Sequence, residues 1–226
     1  LVCYKNDRFT YLTTEVKGLQ MAFISKLFGS EFCDVLWFLL QHARKYDLLQ
    51  TYHVGRSTLL WSFVFKVLTG GKGKTYLKLD ADDGILRFKP SKITKYLLQQ
   101  LDLVTVENSY YAQQLNAKQQ LGREVLTSPN GFYDDGIQHA IDFEQKQDKI
   151  ITVGRIGTTQ KATETLCKAF AEFAKHQPTW ELVIIGPVVA NFETFIATYF
   201  GMYPELKSRV TFTGAIVDRE ALEMHY

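Results

Sequence analysis

Lys149-Ile150-Ile151-Thr152-Val153-Gly154-Arg155-Ile156-Gly157, followed by Thr158-Thr159-Gln160-Lys161, decides the fold class. Ile150, Ile151 and Val153 suit a buried parallel strand, which is apolar on both faces. Gly154 lets the backbone turn sharply where the strand stops. Beyond it Ala162, Leu166, Ala169, Phe170, Phe173 and Ala174 recur at helical spacing and predict a helix that packs with these six residues. Arg155 and Lys161 then flank the helix start, where free N–H groups and the helix dipole favour an anion. Ligands of open α/β sheets bind at strand ends, so two cations at this place point to a ligand carrying a diphosphate. The plainer alternative is a strand end with two solvated basic residues.

The alternation continues downstream with a strand over 181–186, a helix over 191–200, a strand over Val210–Gly214 and a helix with Asp218 as its N-cap. Parallel crossovers are right-handed, which places the strand ends Gly154, Gly186 and Gly214 along one edge where one ligand can touch all three. Upstream, strands are predicted over 47–53, 75–80, 103–107 and 124–128, with helices over 34–44, 59–68, 92–100 and 109–120. The turn-rich, charged tract from Ser128-Pro129-Asn130-Gly131 to Lys149 interrupts the pattern and reads as a domain junction. The expected organisation is α/β: a Rossmann-like domain over 1–128, a linker over 129–149 hinged at Asn130 and Gly131, and a second Rossmann-like domain with a parallel sheet over 150–226.

The 226 residues carry 26 basic and 24 acidic side chains, a net charge of +2, which argues against a dedicated nucleic-acid binder. Cys3, Cys33 and Cys167 form no CxxC pair and read as reduced core thiols of a cytoplasmic-type compartment. No glycosylation sequon and no apolar run long enough to span a bilayer is present, and the first residues do not read as a signal peptide.

Gly70-Gly71-Lys72-Gly73-Lys74-Thr75 has the lysine and threonine of a phosphate-binding P-loop, but a strand follows where that motif needs a helix, so it reads as a tight turn. Asp80-Ala81-Asp82-Asp83-Gly84 lacks the spacing of a calcium loop, and its carboxylates follow a strand end, where they can border a cleft. His53 ends another strand, as either a ligand-facing or a structural histidine. The remaining histidines make no metal-ligand spacing, and no metal is expected.

Four stretches stand in register: Leu126-Thr127-Ser128-Pro129-Asn130-Gly131, Ile150 to Arg155 with Lys161, Glu181-Leu182-Val183-Ile184-Ile185-Gly186, and Val210 to Gly214 with Asp218-Arg219-Glu220 and Tyr226. In that order they resemble the linker, donor phosphate site, second strand and third β-α unit of family 4 (group 1) glycosyltransferases of the GT-B fold. Residues 47–53, 75–80 and Thr105-Val106-Glu107-Asn108-Ser109 resemble that family's acceptor-side domain.

The resemblance implies transfer of a sugar from a nucleotide-diphosphate donor to an acceptor hydroxyl, with retention and without a metal or other cofactor, in a cleft between two domains. It implies donor contacts at Gly154, Arg155, Lys161, Gly186, Gly214 and Ile216, and acceptor-side contacts at Glu107, Asn108 and Ser109. His53 and Asp80 are the catalytic candidates, although Asp80 stands where the family often has histidine. The implied partners are the donor and a sugar or lipid-linked acceptor of cell-surface polysaccharide or glycolipid synthesis. The implied location is cytoplasmic, with peripheral contact to the inner face of the membrane.

The family's Glu-x7-Glu motif lies beyond the third β-α unit. Glu164 and Glu172 have that spacing but fall on the solvated face of the helix after the phosphate loop. The chain is therefore expected to be the middle of a larger enzyme, without the first strand and the acidic motif. A noncatalytic sugar-nucleotide-binding or scaffolding subunit and a nucleotide-sugar epimerase are the alternatives.

Overall fold

The computed structural model describes residues 1–4, 18–131 and 143–226. The chain divides into two units, Leu1–Asp135 and Gly136–Tyr226. Part of the expected linker, residues 132–142, lies outside the described residues.

In the first unit the strands β3 (Leu48–Tyr52), β4 (Lys74–Leu79), β5 (Leu103–Val106) and β6 (Leu126–Thr127) form one parallel sheet in the order β3-β4-β5-β6. Between them run α2 (Arg56–Leu68), the short α3 (Asp83–Arg87), α4 (Lys92–Gln99) and α5 (Ser109–Ala117). Strand β4 alternates buried Thr75, Leu77 and Leu79 with half-buried Tyr76 and Lys78, so one face carries the core. That core joins Leu77, Leu79, Val104 and Val106 to Leu59, Leu98 and Leu115 from the helices.

Three side chains close the ends of these elements. Asp102 accepts from the Thr75 N–H (2.8 Å) and hydroxyl (3.0 Å) and pairs with Lys66 (3.0 Å), which fixes the start of β4. Arg123 donates to the carbonyls of Leu98, Leu101 and Asp102, satisfying acceptors at the C-terminal end of α4. Gln120 donates to the Ile85 and Phe88 carbonyls at the end of α3.

A separate parallel pair, β1 (Val2–Tyr4) and β2 (Ala22–Ile24), precedes α1 (Glu31–His42). These strands were not expected. Asp34, 2% exposed, ties them to α1: its carboxylate accepts from the N–H groups of Leu27 (3.0 Å) and Phe28 (2.9 Å) and from the Tyr4 hydroxyl (2.8 Å). Burial alone would raise its pKa, but these donors hold it below the ordinary carboxylate value. Burial and the same carboxylate push Tyr4 up to about 12.

The second unit carries β7 (Lys149–Val153), β8 (Glu181–Ile185) and β9 (Val210–Gly214), parallel and in that order. The crossovers contain α6 (Thr163–Phe173) and α7 (Glu193–Met202), and α8 (Arg219–Glu223) follows β9. Central β8 is buried from Leu182 to Ile185, the continuous apolar run of a strand covered on both faces. Asp218 caps α8 as predicted, accepting from the Ala221 N–H at 2.8 Å. The packed face of α6 differs from the prediction. Thr163, Cys167, Phe170, Ala171 and Ala174 are buried, whereas Ala169 is exposed and Ala162 precedes the helix. Alanine is neutral to burial, so the larger Phe170 and Cys167 set the rotation of the helix. Cys167 is a core thiol, its pKa pushed up to about 11 by burial. Cys33, in contrast with the expectation, is exposed.

Candidate functional site at the strand ends

In the second unit the three predicted glycines meet. The Gly154 N–H donates to the Ile185 carbonyl (2.9 Å) and the Gly186 N–H to the Gly214 carbonyl (2.8 Å), so the strand tips are joined side by side. Gly186 has φ of +141° and Gly214 of +74°, both in glycine's range. A β-carbon on Gly186 would fall on the Gly154 carbonyl oxygen, which no side chain could relieve. The result is a close junction of main chain at the strand tips, with Gly186 buried and Gly154 and Gly214 half-buried on either side of it. Half-buried Ile216 follows two residues after Gly214.

Lys161 ends a single 3-10 turn (Thr159–Lys161), and its aliphatic stem lies over Gly154: a β-carbon there would meet Lys161 Cε at 3.0 Å. Arg155 is exposed and donates to Gln160 Oε1 at 3.3 Å. Both cations therefore sit around the β7 tip and the N-terminal end of α6. The residue before α6, Ala162, has φ of +47° and no side chain able to cap the helix.

The loop between them is held by residues the sequence reading missed. The Thr158 hydroxyl donates to the Arg155 carbonyl (3.1 Å), and the Gly157 N–H donates to buried Thr163 Oγ1 (3.3 Å). Gly157, at φ +87°, leaves no room for a β-carbon beside Phe192. The second glycine after the strand was the available signal. Glu164 and Glu172 pair with Lys168 (3.6 Å) and Lys175 (2.7 Å) on the outer face of α6, as expected of solvated residues.

At the C-terminal ends of the first unit's strands, His53 and Asp80 border one cavity of about 260 Å³, floored by Val54, Leu79, Ile85 and Phe88. Both are exposed and lie one residue beyond their strands. His53 adopts φ +61°, its N–H bound to the Lys78 carbonyl (3.1 Å) and its carbonyl accepting from the Thr58 hydroxyl (3.0 Å). Asp82 caps α3 through the Gly84 N–H (2.7 Å), and Asp83 accepts from the Tyr111 hydroxyl (3.0 Å), a bond that raises the tyrosine pKa.

The acceptor-side candidates have local partners. Glu107 accepts the Ala81 N–H with both oxygens (3.1 and 3.2 Å), fixing the loop behind Asp80. Asn108 caps α5 through the Tyr110 N–H (2.8 Å), and exposed Ser109 opens that helix. Asn130 and Gly131 are exposed coil beyond β6. Among the described residues, no three of His, Cys, Asp and Glu are grouped to hold a metal ion. No helix among them is long and apolar enough to cross a membrane.

No family model matches the sequence. No curated protein matches it either. Solved structures do. A lipopolysaccharide outer core galactosyltransferase, WaaB, in its apo form is 15% identical with a TM-score of 0.57, over 97% of this chain and 58% of its own. Anabaena HepE in complex with UDP and glucose is 14% identical with a TM-score of 0.55, over 92% and 59%. A UDP complex of S. aureus MnaA is 12% identical with a TM-score of 0.53, over 92% and 58%. The chain thus spans less than two thirds of each of these proteins, and what it shares with them is the fold: two Rossmann-like units with parallel sheets, of the GT-B type.

Proposed function

We propose that the chain binds a nucleotide-diphosphate sugar at the tips of β7, β8 and β9 and belongs to a retaining glycosyltransferase of the family 4 type. The observation that carries this reading is the placing of Arg155 and Lys161 around Gly154, where the β7 tip meets the N-terminal end of α6. Diphosphate needs N–H groups to approach and cations to neutralise it, and a helix start flanked by two cations offers both. As the bond from the anomeric carbon to phosphate breaks, negative charge grows on the leaving oxygens. Preorganised Arg155 and Lys161 stabilise that charge more than they stabilise bound donor, which is what lowers a barrier. The same cations do the work that a divalent ion does elsewhere, so donor binding is independent of chelator.

In this reading His53 and Asp80 face the acceptor, a sugar or lipid-linked sugar of cell-surface polysaccharide or glycolipid synthesis, and the protein works in the cytoplasm in peripheral contact with the membrane. The structures of HepE and MnaA with UDP support the choice of a uridine nucleotide as first probe.

UDP titration by calorimetry tests the assignment. Arg155→Ala and Lys161→Ala should each weaken UDP binding by about tenfold or more, the scale of one lost charged hydrogen bond. Unchanged affinity in both variants would reject the site. Release of UDP from UDP-sugars that requires an acceptor would separate a transferase from an epimerase or a binding subunit.

A further inference from the structure

The cavity at the C-terminal ends of β3 and β4 is one-sided in charge. Its floor is apolar: Leu79 is buried, and Val54, Ile85 and Phe88 are half-buried against the core of the first unit. Its rim carries His53, Asp80 and Asp82, and among the described residues no lysine or arginine lines it. In sign it is the opposite of the β7 tip, which Arg155 and Lys161 flank.

The carboxylates around this cavity differ in what they leave open. Glu107 has both oxygens on the Ala81 N–H, and Asp83 accepts from the Tyr111 hydroxyl. Asp82 holds the Gly84 N–H with Oδ1, which leaves Oδ2 to a ligand. The Asp80 carboxylate has no hydrogen-bond or ion-pair partner among the described residues, and it stands directly beyond the end of β4. An ionised carboxylate only accepts, so whatever enters must bring donors. Hydroxyl groups meet that need, and an ammonium group meets it with a charge-assisted bond about twice as strong. A phosphate or a sugar carboxylate brings acceptors and a like charge, which this rim repels.

At about 260 Å³ the cavity is smaller than the roughly 300 Å³ at which pockets for drug-sized ligands begin, a size for one sugar ring. A pyranose presents C–H groups on one face and polar groups at its edge. Ile85 and Phe88 suit the first, and Asp80 and Asp82 the second.

We infer that this cavity selects an acceptor ring bearing a free amine, seated with its C–H face on Ile85 and Phe88 and its ammonium group on Asp80, which sets the preference. The inference rests on the reading of this cavity as the acceptor side. It gives that side a substrate class: an amino sugar ahead of a neutral sugar, with anionic sugars rejected.

The test is a ligand-observed NMR titration of the 226-residue chain with methyl glucosaminide, methyl glucoside and methyl glucuronide. Mildly acidic buffer keeps the amine charged and the carboxylates ionised. Affinity is expected to fall in that order, about fivefold at each step, and the first step should shrink in about 0.5 M salt. Asp80→Asn, nearly isosteric and at an exposed position, should bring the glucosaminide to within about twofold of the glucoside. The salt effect is read on the unaltered chain and needs no variant to fold.

Equal affinity for the amine and neutral rings, tighter binding of the glucuronide, a preference that survives Asp80→Asn, or no binding of any of the three would overturn the inference. UDP titration of the same samples reports on the donor edge alone. UDP binding without the amine preference would overturn this inference and leave the donor site standing, and the amine preference without UDP binding would do the reverse.

Discussion

Alanine placed at each of the three strand-end glycines should have three different effects. At Gly186 the new β-carbon falls far inside the 3.0 Å that real contacts respect, against the Gly154 carbonyl, which is backbone and cannot rotate away. Relief requires β7 and β8 to part at their tips, which weakens the Gly154–Ile185 hydrogen bond. That bond is worth about 1 kcal/mol. The positive φ adds about 1–2 kcal/mol. The expected loss is therefore about 2–3 kcal/mol.

At Gly214 the β-carbon meets open space, so only the φ strain remains, about 1–2 kcal/mol. At Gly154 it meets the Lys161 stem at 3.0 and 3.3 Å, which can swing aside, so stability falls by less than about 1 kcal/mol while UDP affinity falls with the displaced cation. Trp180, the one tryptophan of the second unit, reports its urea transition once Trp37 and Trp61 are replaced by phenylalanine. If Gly186→Ala costs no more than Gly214→Ala, the strand tips are not in the contact described.

Two further outcomes concern stability. The Tyr199 hydroxyl, fully buried among the rings of Phe195, Phe200 and Tyr203, has no hydrogen-bond partner among the described residues, and burial raises its pKa. Tyr199→Phe should stabilise the second unit by about 1 kcal/mol in urea titration, and a loss instead would reveal a partner for the hydroxyl. For Asp102, burial alone would raise the pKa, but the Thr75 N–H, Lys66 and the Thr75 hydroxyl outweigh it and lower it. Its stabilisation is thus complete above the ordinary carboxylate value near pH 4 and is lost as pH falls through the depressed folded value. Asp102→Asn should cost about 1–2 kcal/mol at neutral pH and flatten the acid limb of the stability profile; an unchanged acid limb would assign that limb to other carboxylates such as Asp34.

Strands with a strong pattern were legible before the structure. β7 and β8 are apolar runs that end at glycine, and the meeting of the three strand tips was expected from parallel crossovers, whereas the order β7-β8-β9 was not read from the sequence. What escaped was short or dependent on distant partners. β1 and β2 have three residues each, too few for alternation to register, and α3 hid in an acidic tract that reads as loop. β6 shrank to Leu126–Thr127 because only these two residues pair with β5. At the site, Arg155 and Lys161 were visible from their spacing around Gly154. The structural use of Glu107 was not, since its partner Ala81 lies 26 residues away. His53 and Asp80 were read from separate strand ends, and only the folded sheet brings them to one cavity.

Strand β9 lies at the end of its sheet, and the residue before it, Arg209, reaches the carbonyls of Trp180, Ala174 and Gln177 while its guanidinium lies 5.7 Å from the Phe170 ring centroid. One side chain thus joins the start of the edge strand to the segment before β8 and to the end of α6. Such an edge does not fray by itself: releasing its first residue strips three acceptors of their donor and uncovers an aromatic ring. Amide exchange along β9 would then follow the opening of the whole second unit, with no separate low-energy opening of the edge. Arg209 is thus the latch that fastens the start of β9 to the body of the second unit.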